Sequence, residues 1–293
     1  MSERALVLGG GGATGNAWLI GVIAGLFDAG LDVTDADMIV GTSAGSTAAA
    51  QITAASPTKL FTDIVSAAPP QRSAPVNAER EHARVGAPPN DLDRTSRIIA
   101  AAADPADMRR KLGAAALEMH ASSDASAQAQ RRAAVAARLP SQEWPDRPML
   151  ITAADAHTGE PVVFDRHSGV ELVDAVAAST AGGFAYGIGD KRYIDGGYRA
   201  DVNADLATGY ARVLIVAPLG ERTRKQLQWG LHLTAQAAEL RAGGSRVETI
   251  FPDSTSLDAL GLDLMDLSRR VPSARAGYDQ GRARAEQLKE FWH

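Results

Sequence analysis

The chain opens on a short apolar run, Ala5 to Leu8, that stops at four glycines. An unbroken apolar run of this length, closed by a turn signal, predicts a strand buried on both faces. Residues 16–29 follow with a helical pattern, with Trp18, Ile20, Val22, Leu26 and Phe27 among the apolar positions. Residues 37–40 predict a second short strand ending at Gly41, and residues 44–55 an alanine-rich helix. Strand, tight turn, helix, strand, tight turn, helix is the pattern of a parallel sheet covered by helices.

That pattern breaks off at 66–94. Pro69, Pro70, Pro75, Pro88 and Pro89 fall there among mixed charges and few large apolar residues, which predicts a loop or weakly ordered insertion. Residues 95–139, rich in alanine and arginine, predict two or three helices, with a start at Asp104-Pro105 and a break at Ser122–Ser126. Strand signals resume at Met149–Ala153 and Pro161–Phe164, with Thr158-Gly159 turning between them. A helix over 170–179, a glycine-rich loop over 181–189 and a short strand at Arg192–Ile194 come next. A buried strand at Val213–Val216, a helix over 226–242, a strand at Val247–Phe251 and a helix over 273–290 complete the reading. The sum is one α/β domain over 1–293 with a helical and loop insertion at about 60–145. A division into two domains near 145 is the alternative.

Composition narrows the function. At 293 residues and 45% hydrophobic, the chain is long enough for a sizeable core, and a domain this size buries about 75% of its unfolded surface. There is no cysteine, which excludes a disulfide framework, a thiolate metal site and a cysteine nucleophile. Thirty basic residues against 35 acidic ones give a net charge of −5. With no dense basic run, nucleic acid is not an expected partner. No long uninterrupted apolar stretch predicts a transmembrane segment, and the N-terminus lacks a signal-peptide pattern, so the expectation is a cytoplasmic protein.

Two glycine turns carry the candidate chemistry. The first, Gly9-Gly10-Gly11-Gly12-Ala13-Thr14-Gly15, holds G-x-G-x-x-G at Gly10, Gly12 and Gly15 between a strand and a helix. Its backbone N–H groups can converge on an anion, helped by the helix N-terminus. That anion is a dinucleotide pyrophosphate or a reaction oxyanion; a purely structural turn is the third reading. A dinucleotide site also needs an acid at the end of the second strand. Ile39-Val40-Gly41-Thr42 offers none, and Asp35 and Asp37 lie at the wrong end.

The second turn, Gly41-Thr42-Ser43-Ala44-Gly45, is G-x-S-x-G between a strand and a helix. Such an elbow lifts a serine hydroxyl out of the sheet and needs small neighbours, and the helix adds its positive end. An ordinary N-cap serine is the alternative. A serine nucleophile needs a base. None of His82, His120, His157, His167, His232 and His293 has a clear context, so each reads as surface or structural. Asp195 follows a short strand and precedes Gly196-Gly197, which favours a tight turn with an accessible carboxylate. Against a serine hydroxyl in a partly desolvated cleft, a carboxylate can serve as the base. A plain turn aspartate is the alternative.

Taken together, Gly-Gly-Gly-Ala-Thr-Gly (10–15), Gly-Thr-Ser-Ala-Gly (41–45) and Asp-Gly-Gly (195–197) resemble, in order and context, the patatin-like phospholipases. Ala5–Leu8, Asp174–Ser179, Tyr193–Gly197, Val213–Val216 and Ala276–Gly281 look like family sequence as well, so the resemblance covers nearly all of the chain outside about 66–140. It implies a three-layer α/β/α fold with a mainly parallel central sheet. It also implies an acyl hydrolase with a Ser-Asp dyad acting on lipid or other esters. Ser43 would attack the ester carbonyl, and Asp195 would take its proton and later activate water. The backbone N–H groups of Gly10, Gly11, Gly12 and Ala13 would hold the oxyanion; losing one such donor costs about 2.7–4 kcal/mol in the barrier. The resemblance implies no metal or cofactor.

Two departures bear on phospholipid preference and turnover. Thr14 stands where the family often has Arg or Lys, and Ala181-Gly182-Gly183-Phe184 occupies a loop that usually holds a proline. A catalytically weak or inactive lipid-binding relative is the alternative reading. The insertion is the best candidate for a lid over the site. Arg109-Arg110-Lys111 and Arg131-Arg132 read as solvated faces. Residues 269–293, with six Arg/Lys against three acids, read as a solvated terminal helix; a modest preference for anionic surfaces, with a transient membrane-surface contact, is the alternative. Phe291 and Trp292 either cap the core or touch a partner.

Overall fold

The computed structural model describes residues 3–67, 89–121 and 125–293, without the side chains of 89–93, 120, 121 and 125. Most of the proline-rich loop over 66–94 and residues 122–124 of the break lie outside the described residues. The element order is β1 (Arg4–Leu8), α1 (Gly12–Asp28), β2 (Met38–Gly41), α2 (Ala44–Ile52), α3 (Pro57–Val65), α4 (Pro89–Ala100), α5 (Pro105–Ala121), α6 (Ala125–Ala136), β3 (Met149–Asp155) and β4 (Pro161–Phe164). It continues with α7 (Leu172–Ser179), β5 (Tyr186–Ile188), β6 (Lys191–Asp195), β7 (Arg212–Val216), α8 (Leu233–Ala242), β8 (Arg246–Ile250), α9 (Ser254–Leu260) and α10 (Arg270–Trp292).

Among the described residues, the strands form one sheet in the order β5-β6-β3-β2-β1-β7-β8, with β4 also paired to β3. The pairs from β3 through β8 along this order are parallel, whereas β3/β4, β3/β6 and β5/β6 are antiparallel. β1 is buried on both faces because its side chains alternate between two cores. Leu6 and Leu8 join Trp18, Ile23 and Trp292 on one side. Ala5 and Val7 join Val213, Leu233 and Leu240 on the other. The fold is thus a mixed, mostly parallel central sheet flanked by helices, the α/β/α arrangement expected from the sequence.

One detail of register decides where the chemistry can sit. β3 pairs with β4 through Ile151–Ala154, with β2 through Met149–Ile151 and with β6 through Ala153–Asp155. A strand has two edges, and β4 shares Ile151 with β2 and Ala153 with β6. β2 and β6 therefore occupy the same edge of β3, end to end. β2 finishes at Gly41 opposite Ile151, and β6, running the other way, finishes at Asp195 opposite Ala153. The C-terminal ends of both strands meet beside Thr152.

The insertion is built onto this sheet. α4 and α5 pack Ile99, Met108, Leu112 and Ala116 against Ala154 and Ile194. α6 is tied to α7, with Arg132 paired to Asp174 and Glu171. The basic clusters are therefore not all solvated faces. Arg109 is buried and donates through Nε to Gly159 O, and the Arg131 guanidinium lies 4.1 Å over the Phe184 ring.

The α1–α10 crossing explains a glycine pattern that the sequence leaves unexplained. A Cβ on Gly21 or Gly25 would lie 2.1 Å from the carbonyl oxygen of Ala274 or Tyr278. On Gly277 or Gly281 it would lie 2.4 or 2.2 Å from that of Trp18 or Val22. Two turns of each helix thus meet backbone to backbone. At the end of α10, Trp292 is fully buried with Nε1 donating to Asp35, and Phe291 is buried beside it, so both cap the core.

Several elements depart from the sequence pattern. The loop over 181–189 contains β5, whose three residues are too few to show alternation. The helix over 226–242 begins only at Leu233, because Gly230 takes a left-handed φ of 67° after a 3-10 turn at Leu227–Trp229. α3 and α9 were not expected. Each starts at a polar cap, Ser56 accepting from the Lys59 N–H and Asp253 from that of Ser256. α10 starts three residues early, since Pro272 falls in its first turn, where no helical N–H is lost. No helix among the described residues is long and apolar enough to cross a membrane.

The helix crossing makes a stability prediction. Gly25→Ala forces the α1 and α10 backbones apart and lowers stability by about 1–3 kcal/mol or more. A denaturant midpoint equal to that of the parent would show that the crossing has room for a methyl group.

Candidate active site

β2 ends in a turn too sharp for ordinary backbone. Ser43 has φ 52° and ψ −117°, a region costing a residue with a Cβ about 1–3 kcal/mol. Surrounding bonds hold it there. Its N–H donates to Ser179 Oγ at 2.9 Å, and its carbonyl accepts from Ser46 Oγ at 2.6 Å. Gly45 lets α2 start against β1, since a Cβ there would lie 2.0 Å from Leu8 O. Thr42 and Ala44 are buried while Ser43 is partly exposed, so the elbow presents this hydroxyl alone.

The Ser43 hydroxyl donates to Asp195 Oδ2 at 2.8 Å. The other carboxylate oxygen, Oδ1, accepts from the Gly197 N–H at 2.7 Å, capping the 3-10 turn Gly196–Tyr198. Gly196 allows this turn to lie flat on β3, where a Cβ would come within 2.3 Å of Thr152 O. The loop that usually carries a proline is tied down as well: Ala181 O accepts from the Asp195 N–H at 3.1 Å. Gly182 faces Oδ2, with its ideal Cβ position 3.8 Å away.

Burial pushes the Asp195 carboxyl up to about 6. The Gly197 N–H, the Ser43 hydroxyl and the nearby charges of Lys225 and Arg224 pull it back. Lys225 is itself buried, ion-paired with Asp201 and bonded to Gly197 O at 2.7 Å. Its positive charge is thereby fixed behind the Asp-Gly-Gly turn.

Beneath the pair lies a polar knot. Asn203 is fully buried and takes a left-handed φ of 57°, a conformation asparagine tolerates. Its Nδ2 lies within hydrogen-bonding distance of Thr42 Oγ1 (2.9 Å), Thr152 Oγ1 (3.1 Å), Gly196 O (3.0 Å) and Ala200 O (3.2 Å). Its Oδ1 accepts from Arg199, which fixes the amide orientation. Arg199 is in turn held by both oxygens of Asp205. One amide thus joins the end of β2, the middle of β3 and the turn after β6. Asn203 carried no sequence signal. Ser179 lay in a family-like stretch but had no role assigned.

The glycine turn sits beside the serine. An ideal Cβ on Gly10 would lie 3.4 Å from Ser43 Cβ and 4.0 Å from Oγ. The Gly9 N–H donates to Val216 O, that of Thr14 to Leu264 O and that of Gly15 to Gly11 O, which pins the turn at both ends. The N–H groups of Gly10, Gly11 and Gly12 have no acceptor among the described residues. Gly12 needs its φ of 64°, and a Cβ there would also strike Leu264 O at 2.7 Å. Ala13 is the second residue of α1, so this turn ends on a positive helix end with no acid in its first turn. Thr14 is fully buried. The departure at this position is therefore not the loss of an exposed charge.

The other candidates lie elsewhere. Asp37 accepts from the N–H groups of Glu3 and Arg4, and Asp35 pairs with Arg4, both at the opposite end of the sheet from the glycine turn. His157, His167 and His293 are exposed, and His232 precedes α8. His82 and the His120 side chain lie outside the described residues. No group of three or more His, Asp or Glu suited to a metal ion comes together among the described residues.

The serine–carboxylate pair thus sits at a strand-to-helix elbow, beside a glycine turn, at the strand ends of the α/β/α sheet. The family model described as Patatin-like phospholipase matches residues 6–208, well over half of the chain, and spans both glycine turns, Asp195 and Asn203. The chain belongs to the patatin-like phospholipase family, whose function is lipid acyl hydrolysis in general terms. Among solved structures it is similar to VipD from Legionella pneumophila, with 12% identity and a TM-score of 0.42, covering 98% of this chain and 67% of that one. The comparison with curated proteins finds no match.

The knot yields a prediction. Asn203→Ala removes the two amide N–H donors shared among the Thr42 and Thr152 hydroxyls and two buried carbonyls, and stability falls by about 1–3 kcal/mol. Chemical denaturation checks this; a loss below about 0.5 kcal/mol would mean that the amide is not what joins the two strand ends.

Proposed function

We propose that the protein hydrolyses carboxylic ester bonds of lipids, with Ser43 as nucleophile and Asp195 as general base. The observation that carries this reading is the 2.8 Å hydrogen bond from Ser43 Oγ to Asp195 Oδ2. As Ser43 Oγ attacks the ester carbonyl carbon, its proton passes to Oδ2. The tetrahedral oxyanion accepts hydrogen bonds from N–H groups of Gly10–Ala13, preorganised where charge develops. Collapse expels the alcohol, which takes the proton back from Asp195 and leaves an acyl ester on Ser43. Water, deprotonated by Asp195, then releases the fatty acid and restores the serine.

A carboxyl raised to about 6 suits this work. It is a stronger base than an ordinary carboxylate yet still ionised at neutral pH. A base must be unprotonated, so kcat/KM rises with pH, gaining about tenfold per unit below pH 6 and levelling off above it. A profile flat from pH 4 to 8 on stable protein would remove Asp195 from this role.

A fluorophosphonate should modify Ser43 stoichiometrically, mapped by mass spectrometry, while the same sample releases fatty acid from a lipid ester. Ser43→Ala should lose both, the rate falling by more than about a thousandfold. An adduct on another serine, or neither adduct nor release from folded protein, would sink the proposal. The second outcome would favour a lipid-binding relative without turnover.

A further inference from the structure

Arg270, the first residue of α10, reaches the glycine-turn end of α1. Its Nη1 donates to Ala13 O at 3.2 Å and to Asn16 Oδ1 at 3.4 Å. Asn16 Nδ2 donates to Gln51 Oε1 at 2.9 Å, and Gln51 Nε2 to the backbone carbonyl of Arg138 at 3.0 Å. Asn16 and Gln51 are buried, so this chain of bonds ties the Arg270 guanidinium to the main chain at Arg138.

The spot is electrically one-sided. Burial pulls Arg270 below its ordinary pKa, and the Arg138 charge pulls it further. Neither guanidinium has a carboxylate partner among the described residues. Arg269, by contrast, is paired with Asp266. The positive ends of two long helices, α1 and α10, converge here, and neither has an acid in its first turn. Beside Ala13, the buried Thr14 Oγ1 has no hydrogen-bond partner. Nε and Nη2 of Arg270 and the whole Arg138 guanidinium have no acceptor among the described residues; Arg138 is exposed and Arg270 partly so.

Like charges gathered without a counter-ion repel one another. An arrangement that holds them together is stabilised by an anion set between them. Guanidinium groups present planar forks that match phosphate oxygens, and helix N-termini add aligned N–H dipoles. We propose that Arg138 and Arg270, at the converging ends of α1 and α10, form a binding site for a phosphate group. The phosphate is that of a lipid headgroup or free phosphate. The site itself is independent of the Ser43 chemistry; only the headgroup source rests on the proposed ester hydrolysis.

The test uses the full chain carrying Ser43→Ala, so that binding is read without turnover. Inorganic phosphate, titrated by calorimetry and phosphorus NMR, should bind saturably. Arg138→Gln, at an exposed position that leaves the core intact, should weaken binding by at least about tenfold. Arg270→Gln should do the same, with its melting temperature recorded because Arg270 also holds Ala13 O. A short-chain phosphatidylglycerol below its micelle concentration is then added as competitor. Displacement of phosphate assigns the site to a headgroup, and failure to displace assigns it to free phosphate. In the active protein, Arg138→Gln should leave kcat/KM on an uncharged short-chain ester within about twofold. No saturable phosphate binding, or binding equal in the parent and the Arg138→Gln protein, overturns the site. Phosphate binding lost in Arg138→Gln by a protein that hydrolyses no ester would keep the site and reject the hydrolase reading.

Discussion

The candidate site depends on one constraint of register: two strands that run toward each other along one edge of a third. β2 must stop at Gly41 and β6 at Asp195, leaving Thr152 between them. Had either strand continued by two residues, the two would collide, and neither Ser43 nor Asp195 would leave the sheet. The side chains meet because both strands end there, each in a turn of small residues. The mixed sheet follows from the same constraint, since only an antiparallel β6 can point its C-terminal end at that of β2.

Such a junction exposes backbone and hydroxyl groups to the interior, where an unpaired polar group is costly. The knot around Asn203 satisfies them from below. It also makes the geometry of the pair insensitive to the chain beyond it, because one amide touches all three converging segments. Its own orientation is set by Arg199 and Asp205 rather than by packing. The elbow therefore rests on a polar support, while the apolar cores above and below the sheet hold only the strands.

The glycines, the elbow serine and the aspartate were legible in the sequence because each is forced by local geometry. A tight strand-to-helix turn needs small residues at fixed spacing, whatever surrounds it. Asn203 was not legible, because a single asparagine between Val202 and Ala204 carries no spacing and its partners lie 161, 51 and 7 residues away. β5 escaped because three residues cannot display a period. Arg109 was misread because charge runs alone cannot tell a solvated face from a side chain that finds a buried carbonyl. The glycines of α1 and α10 stood in plain view. Their i, i+4 spacing marks a close helix crossing only once both helices are known to lie side by side.

The Asp-Gly-Gly turn also bears on why two residues can suffice in the proposed reaction. A histidine base has two nitrogens that must be kept in one tautomer, which requires a third side chain to orient it. A carboxylate has no tautomer to fix, but it has two oxygens and free rotation about its Cα–Cβ and Cβ–Cγ bonds. Here the turn that follows Asp195 removes that freedom. The Gly197 N–H holds Oδ1, which leaves Oδ2 directed at Ser43. The orienting group is thus backbone, supplied two residues along the same chain, and Lys225 is anchored on the carbonyl of that same Gly197. The same local turn orients the carboxylate and fixes a cation behind it, while burial keeps the group basic. In this arrangement a third catalytic side chain has no orienting task left.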